Sequence, residues 1–204
     1  MPRITAIERQ QKAKEFFSVF VDGSYALSLS EFEMTSLKLA PEQELSVEEL
    51  ASLMERAGES KSYNKAVQYI GVRPRSVAEV RDYLARKGVD GIEPTLERLK
   101  ANGLLNDVEF ASVWIANRLA LRPRSSRMLK VELRGKGVSG DDIDEALAAC
   151  DTDTEIQAAM AVAAKKKRLY VEAGKLQAYL ARQGFSYDTI KKALVRLDEL
   201  DDVI

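Results

Sequence analysis

The residues best suited to chemistry in this chain are basic, and they cluster near its middle. Residues 117–137 hold seven lysines and arginines but one acid, Glu132. The seven are Arg118, Arg122, Arg124, Arg127, Lys130, Arg134 and Lys136. Arg127, Lys130 and Arg134 follow the spacing i, i+3, i+7, which predicts one shared helix face. Such a face could neutralise phosphates or enter an acidic groove on a protein, although many charge runs are only solvated faces.

The same basic pattern occurs earlier in the chain. Arg73-Pro74-Arg75-Ser76 recurs 49 residues later as Arg122-Pro123-Arg124-Ser125. We therefore predict that Arg73, Arg75 and Arg81 form the equivalent edge in a first copy. A further basic run, Lys165 to Arg168, has two equally good explanations. It could bind a partner, or its cations could simply be favoured at a helix C-terminus.

Catalytic chemistry has little support. The chain has no histidine and a single cysteine, Cys150, and it contains no glycine-rich phosphate-binding loop. Two acidic pairs, Asp141/Asp142 and Asp201/Asp202, could bind a metal, but a helix start and a solvated tail explain them better. We predict a non-enzymatic protein with no catalytic residue, no metal site and no cofactor.

Two aromatic residues could stack on nucleic-acid bases. Phe110 and Trp114 are spaced i, i+4, and that spacing more often faces a neighbouring helix. We therefore favour core packing, with Arg118 carrying the same stripe to a polar edge.

Composition indicates a soluble, folded chain. Of its 204 residues 46% are hydrophobic and 31% charged, and no apolar run approaches the roughly 18 residues that span a bilayer. A single cysteine excludes an internal disulfide, and the N-terminus lacks an apolar signal core. These features predict a cytoplasmic protein without membrane contact.

The first 60 residues combine strands with short helices. Residues 16–21 and 24–29 are rich in strand-forming residues and flank Asp22-Gly23, a dipeptide suited to a type I′ turn. Residues 4–7 could add a third strand. Ser30-x-x-Glu33 and Ser46-x-x-Glu49 match the capping box and predict two short helices.

The rest of the chain is helical and repetitive. Lys87-Gly88-Val89 maps onto Lys136-Gly137-Val138 at the offset of 49, and a fainter third copy reaches Gly184. Each copy predicts three helices, the second starting near Ser76, Ser125 or Glu172 and ending at the glycine. The predicted fold is mainly α, with an N-terminal hairpin segment (1–60) and three-helix repeats at 61–105, 106–150 and 151–204. Stacked repeats of this kind form an elongated, curved body.

The middle copy also resembles a known family, RecX. The similarity lies in two segments, Leu104-Leu105-Asn106-Asp107-Val108-Glu109-Phe110-Ala111-x-x-Trp114-Ile115-x-x-Arg118 and Glu132-Leu133-x-x-Lys136-Gly137-Val138. It covers residues 62–200, and the N-terminal hairpin is similar to an extension that many members carry. Asn106 departs from the family's usual acid, and the turn at 122–125 lacks a glycine found in many members.

The resemblance implies a regulator, usually an inhibitor, of the RecA recombinase. It implies binding to the RecA filament on single-strand DNA, with effects on recombination, ATPase and co-protease activity, and hence on DNA repair and the SOS response. Direct contact with DNA is included in this hypothesis, and nothing in the sequence requires more than a monomer. The alternative is a helix-turn-helix module that binds duplex DNA without RecA.

Overall fold

The structure is a computed structural model that describes residues 1–11, 15–170 and 172–201. Three strands precede a succession of helices. The strands are β1 (Ile4–Arg9), β2 (Phe16–Val21) and β3 (Ser24–Ser30). The helices are α1 (Glu31–Leu37), α2 (Val47–Ile70), α3 (Val77–Arg86), α4 (Ile92–Ala101), α5 (Asp107–Leu121), α6 (Ser126–Arg134), α7 (Gly140–Leu147), α8 (Thr152–Lys166), α9 (Ala173–Arg182) and α10 (Tyr187–Asp201). None of the described helices is long and apolar enough to cross a membrane.

The chain divides into two compact units. The first comprises Met1–Arg75 and Val80–Leu105. The second comprises Ser76–Glu79 and the chain from Asn106 onward, so the first turn of α3 belongs to it. This division separates the first repeat from the other two, and the proposed segment boundary at residue 60 falls inside α2.

The N-terminal strands form the predicted antiparallel sheet in the order β1-β2-β3. Asp22 and Gly23 both have positive φ, as a type I′ turn requires. The sheet buries Ile4, Val19 and Leu29 on one face, where they pack with Leu53 of α2. The strands that residue composition and alternation predicted are therefore present, and the structure shows which face is buried.

Both predicted capping boxes are present, but one predicted helix length was wrong. Ser46 accepts a hydrogen bond from the Glu49 amide, and the Glu49 carboxylate accepts one from the Ser46 amide. The helix that follows is not short, because α2 continues for 24 residues to Ile70. Gly58 inside it costs about 1 kcal/mol relative to alanine. Burial of Leu53 and Ala66 on the same helix offsets that cost.

The three repeats each contain the predicted helices. Gly88, Gly137 and Gly184 follow α3, α6 and α9, and all three have positive φ. In the second repeat the Val138 amide donates to the Leu133 carbonyl, which closes the helix end. Leu133 of α6 and Ile143 of α7 are buried in the second-repeat core, and the third repeat has its own cluster.

Within the second unit, hydrogen bonds from the start of α6 join the second and third repeats. Ser125 caps α6 and donates its hydroxyl proton to the Gln183 carbonyl oxygen at 2.7 Å. The amide of Ser126 donates to the Glu155 carboxylate of α8. The first turn of α3 repeats this contact, because Ser76 donates to the Lys136 carbonyl oxygen at 2.6 Å. Each serine therefore caps the second helix of its own repeat. It also binds the loop that follows the second helix of the next repeat.

Candidate polyanion-binding surface

One carboxylate organises part of the basic cluster. Glu132 Oε2 accepts hydrogen bonds from Arg118 Nε at 2.6 Å and from Trp114 Nε1 at 3.0 Å. Arg124 Nε lies 3.5 Å from Glu132 Oε1, without hydrogen-bond geometry. The Arg118 guanidinium lies 4.4 Å from the Trp114 ring centroid. We call these four residues the Glu132 cluster. Its carboxylate partly neutralises two predicted site residues, Arg118 and Arg124.

Two more of the predicted cations are paired with acids. Lys130 Nζ lies 2.6 Å from Asp144 Oδ1 of α7, and Lys136 Nζ lies 3.0 Å from Glu79 Oε1. Glu132 is the only acid within residues 117–137, but it is not the only acid that opposes the cluster. The fold brings in Glu79 and Asp144 from other helices, and local sequence carries no signal for those contacts.

The remaining three residues of the cluster are exposed. Across the described part of the chain, no carboxylate lies within ion-pair distance of Arg122, Arg127 or Arg134. Arg127 and Arg134 are seven residues apart on α6, about 10 Å along one face. We call Arg122, Arg127 and Arg134 the exposed arginines. They are the residues of the predicted site that keep their charge for a partner.

The equivalent residues of the first repeat are engaged in local contacts. Arg75 stacks its guanidinium 3.9 Å from the Tyr69 ring centroid, and Tyr69 stacks on Tyr83 at 4.0 Å. Arg81 makes a bidentate pair with Glu93, with distances of 2.7 and 3.0 Å. Arg73 Nη1 donates to the Pro74 carbonyl oxygen. Of these three residues Arg81 is ion-paired, and Arg75 is covered by an aromatic contact. The binding role of this edge stays a prediction.

The aromatic pair on α5 mainly packs inside the second unit. Phe110 is 4% exposed and belongs to the second-repeat core. Trp114 is half-buried at the edge of that core, where its indole contacts Glu132, Arg118 and Lys136. Core packing is confirmed for Phe110, and Trp114 links the core to the Glu132 cluster.

The acidic pair and the cysteine have structural surroundings. Asp141 and Asp142 lie in the first turn of α7, and Ser139 caps that helix and hydrogen-bonds the Asp142 side chain. Asp201 ends α10, and Asp202 lies outside the described residues. Burial raises the pKa of the Cys150 thiol, and Glu155 and Asp151 raise it further. The thiol is therefore protonated at neutral pH and a weak nucleophile.

Comparisons with known proteins agree with this arrangement of elements. Family models match in four places: the RecX N-terminal domain at residues 2–46 and the first, second and third RecX three-helix domains at 63–99, 106–147 and 153–194. A protein named Regulatory protein RecX from Levilactobacillus brevis is 31% identical, covering 99% of this chain and 79% of the relative. Its namesake from Bacillus subtilis is 30% identical over 99% of this chain and 80% of the relative.

Solved structures share the fold. A crystal structure of regulatory protein RecX matches with a TM-score of 0.76 and 23% identity, covering 95% of this chain and 98% of that one. A RecX structure from Lactobacillus salivarius matches with a TM-score of 0.64 and 24% identity over 69% of this chain and 97% of that one. With four domain matches in order and relatives named as regulators across nearly its full length, the chain belongs to the RecX family of regulatory proteins.

Proposed function

We propose that this protein regulates the RecA recombinase by binding the RecA filament on single-strand DNA. Membership of a family of regulatory proteins supports a regulatory role. The main support for the proposed site is that the exposed arginines lack an acidic partner among the described residues, whereas the neighbouring cations lie beside acids. The protein would act in the cytoplasm, as a monomer, where its target filament assembles.

The proposed mechanism is surface competition without bond chemistry. Arg127 and Arg134 point charge outward from one helix face, where they can meet filament phosphates or acidic RecA residues. A protein bound in this way blocks access to the filament or favours its disassembly. The paired residues of the site, such as Arg118 and Lys136, would instead hold the shape of the surface.

Charge reversal on α6 tests the site. We expect Arg127→Glu/Arg134→Glu to raise the concentration needed for half-inhibition of the RecA ATPase on single-strand DNA by about tenfold or more, because each reversal replaces attraction with repulsion. Lys130 is left unchanged since Asp144 already engages it. Both arginines are exposed, so the variant should retain the wild-type circular dichroism spectrum.

A matched variant controls for net charge. Arg56→Glu/Lys61→Glu reverses two exposed cations of α2 in the first unit and changes the total charge equally. We expect it to inhibit RecA like the wild type. Equal inhibition by the α6 variant and the wild type, or an equal loss in the α2 control, would show that the exposed arginines are not the site.

Bare duplex DNA separates this proposal from the helix-turn-helix alternative. A RecA-dependent regulator should bind the filament more tightly than naked duplex at physiological salt. A duplex-reading module should instead show sequence-selective binding without RecA, with affinity that falls steeply with salt. Filter binding over a salt series, with and without RecA, measures the difference.

A further inference from the structure

A basic groove lies within the second unit, between the turn joining α5 to α6 and the helices α8 and α9. Its volume is about 430 Å³. The polar residues that line it are Arg122, Arg124, Lys165, Lys166, Tyr179 and Gln183. We call this the basic groove. Arg122 and two lysines of the run Lys165 to Arg168 therefore line the same groove. From the sequence alone, a functional and a purely structural explanation of that run were equally good.

The charges in the basic groove are poorly balanced. None of its lining residues is acidic, and Arg122 and Lys165 are exposed without a carboxylate in ion-pair distance among the described residues. Lys166 contacts the Tyr179 ring, with Nζ 5.9 Å from the centroid. Arg124 is the exception, because Glu132 lies near its Nε. About three positive charges therefore converge without an acidic partner.

Helix dipoles offset only part of this charge. Arg122 follows the end of α5, and Lys165 and Lys166 lie in the last turn of α8. Each helix C-terminus is equivalent to about half a negative charge, so the two together compensate about one of the three cations. The surplus favours an anion that carries more than one charge.

The neutral groups of the basic groove indicate what kind of anion fits. Tyr179 supplies an aromatic wall, backed by Tyr170 at a ring distance of 5.2 Å. The Gln183 amide oxygen accepts from Arg124 Nη1 at 3.2 Å, which leaves its amide nitrogen available to donate. A flat base can use both the aromatic wall and the amide, whereas the carboxylates of an acidic peptide gain nothing from the aromatic wall.

We propose that the basic groove binds the phosphate groups of a nucleotide, supplied either by a single DNA strand or by a free nucleoside triphosphate. Arg122 and Lys165 bind the phosphates, since guanidinium forks and ammonium groups both pair with phosphate oxygens. Arg124 is held in place by Gln183 and borders the site. The base lies toward Tyr179. The proposal concerns a site on the free protein and does not depend on RecA.

Binding to the full-length protein without RecA tests the site. We expect Lys165→Ala/Lys166→Ala to weaken binding of a fluorescent oligo-dT about tenfold at low salt. Loss of the Lys165 phosphate contact should also lower the salt slope by about 0.7, the value for one phosphate of a single strand. The control is Lys191→Ala/Lys192→Ala on α10, where Lys192 is paired with Asp188, and it should bind like the wild type.

Competitors identify the source of the phosphate. Displacement of the oligonucleotide by ATP would assign the basic groove to free nucleotides as well as to strands, and displacement only by unlabelled oligo-dT would assign it to a strand. Failure of the wild type to bind either probe, equal binding by the Lys165/Lys166 variant, or displacement by a glutamate peptide as effective as by ATP would overturn the proposal.

The RecA inhibition assay tests a different surface from the oligonucleotide-binding assay. Arg127 and Arg134 do not line the basic groove. If the wild type fails to bind the probes but inhibits RecA normally, only the groove site is rejected. If the wild type binds the probes and the Arg127/Arg134 variant still inhibits RecA like the wild type, only the filament surface is rejected.

Discussion

Gly137→Ala is expected to lower the free energy of unfolding of the second unit by about 2–5 kcal/mol. Gly137 has a φ of +76°, and a side chain there costs about 1–2 kcal/mol. The added Cβ would also overlap Ala78 Cβ, and such overpacking costs a further 1–3 kcal/mol, roughly. Trp114 is the sole tryptophan and belongs to this unit, so its fluorescence during urea unfolding reports the change.

A glycine of the first repeat separates strain from steric overlap. Gly88 occupies the equivalent position with a φ of +57°, but nothing lies within 4 Å of a Cβ built there. Gly88→Ala should therefore show the backbone cost alone, about 1–2 kcal/mol, measured by circular dichroism. Equal losses at the two glycines would contradict the overlap. Ala78→Gly added to Gly137→Ala should recover part of the stability if Ala78 is the obstructing residue.

Glu132→Gln is expected to lower stability and raise polyanion affinity at the same time. The substitution keeps the shape of the side chain but removes the charge that balances Arg118 and Arg124. Breaking a buried pair costs about 3–5 kcal/mol, but Glu132 and Arg118 are 21% and 31% exposed, so we expect about 1–3 kcal/mol. The released guanidinium charge should tighten oligo-dT binding severalfold and steepen its salt dependence.

An exposed pair provides the control for Glu132. Asp144→Asn removes the partner of Lys130, where Asp144 is 64% exposed, and exposed pairs contribute about 0–1 kcal/mol. We expect a stability change below about 1 kcal/mol by Trp114 fluorescence. Two results would contradict this role of Glu132. One is a loss of stability in Asp144→Asn as large as in Glu132→Gln. The other is oligo-dT binding by Glu132→Gln no tighter than by the wild type.

Local interactions explain the features that could be predicted from sequence. Asp22-Gly23 forms a tight turn because the conformational preferences of those two residues decide it. Ser46 and Glu49 cap a helix within a single turn of chain. Gly137 turns the chain just after α6 because glycine adopts positive φ at low cost. Each of these depends on residues that are neighbours in sequence.

Predictions based on charge and helix length were less complete. The length of α2 was underestimated because packing of its buried face outweighs the local cost of Gly58. The charge of Lys130 was overestimated because Asp144 approaches it from the following helix. Tyr179 and Gln183 carried no local signal, since they become part of a groove only when α9 packs near the α5–α6 turn.

By itself the sequence determined the strand turn, the capped helix starts, the glycine-ended helices and their threefold repetition. All of these follow from backbone preferences and from patterns within a few residues. Only the tertiary structure decided which cations remain unpaired, because Arg127 and Lys130 have the same formal charge and lie on the same helix. Pairing depends on carboxylates that long-range packing brings within a few ångströms, and that distance is not encoded by spacing along the chain.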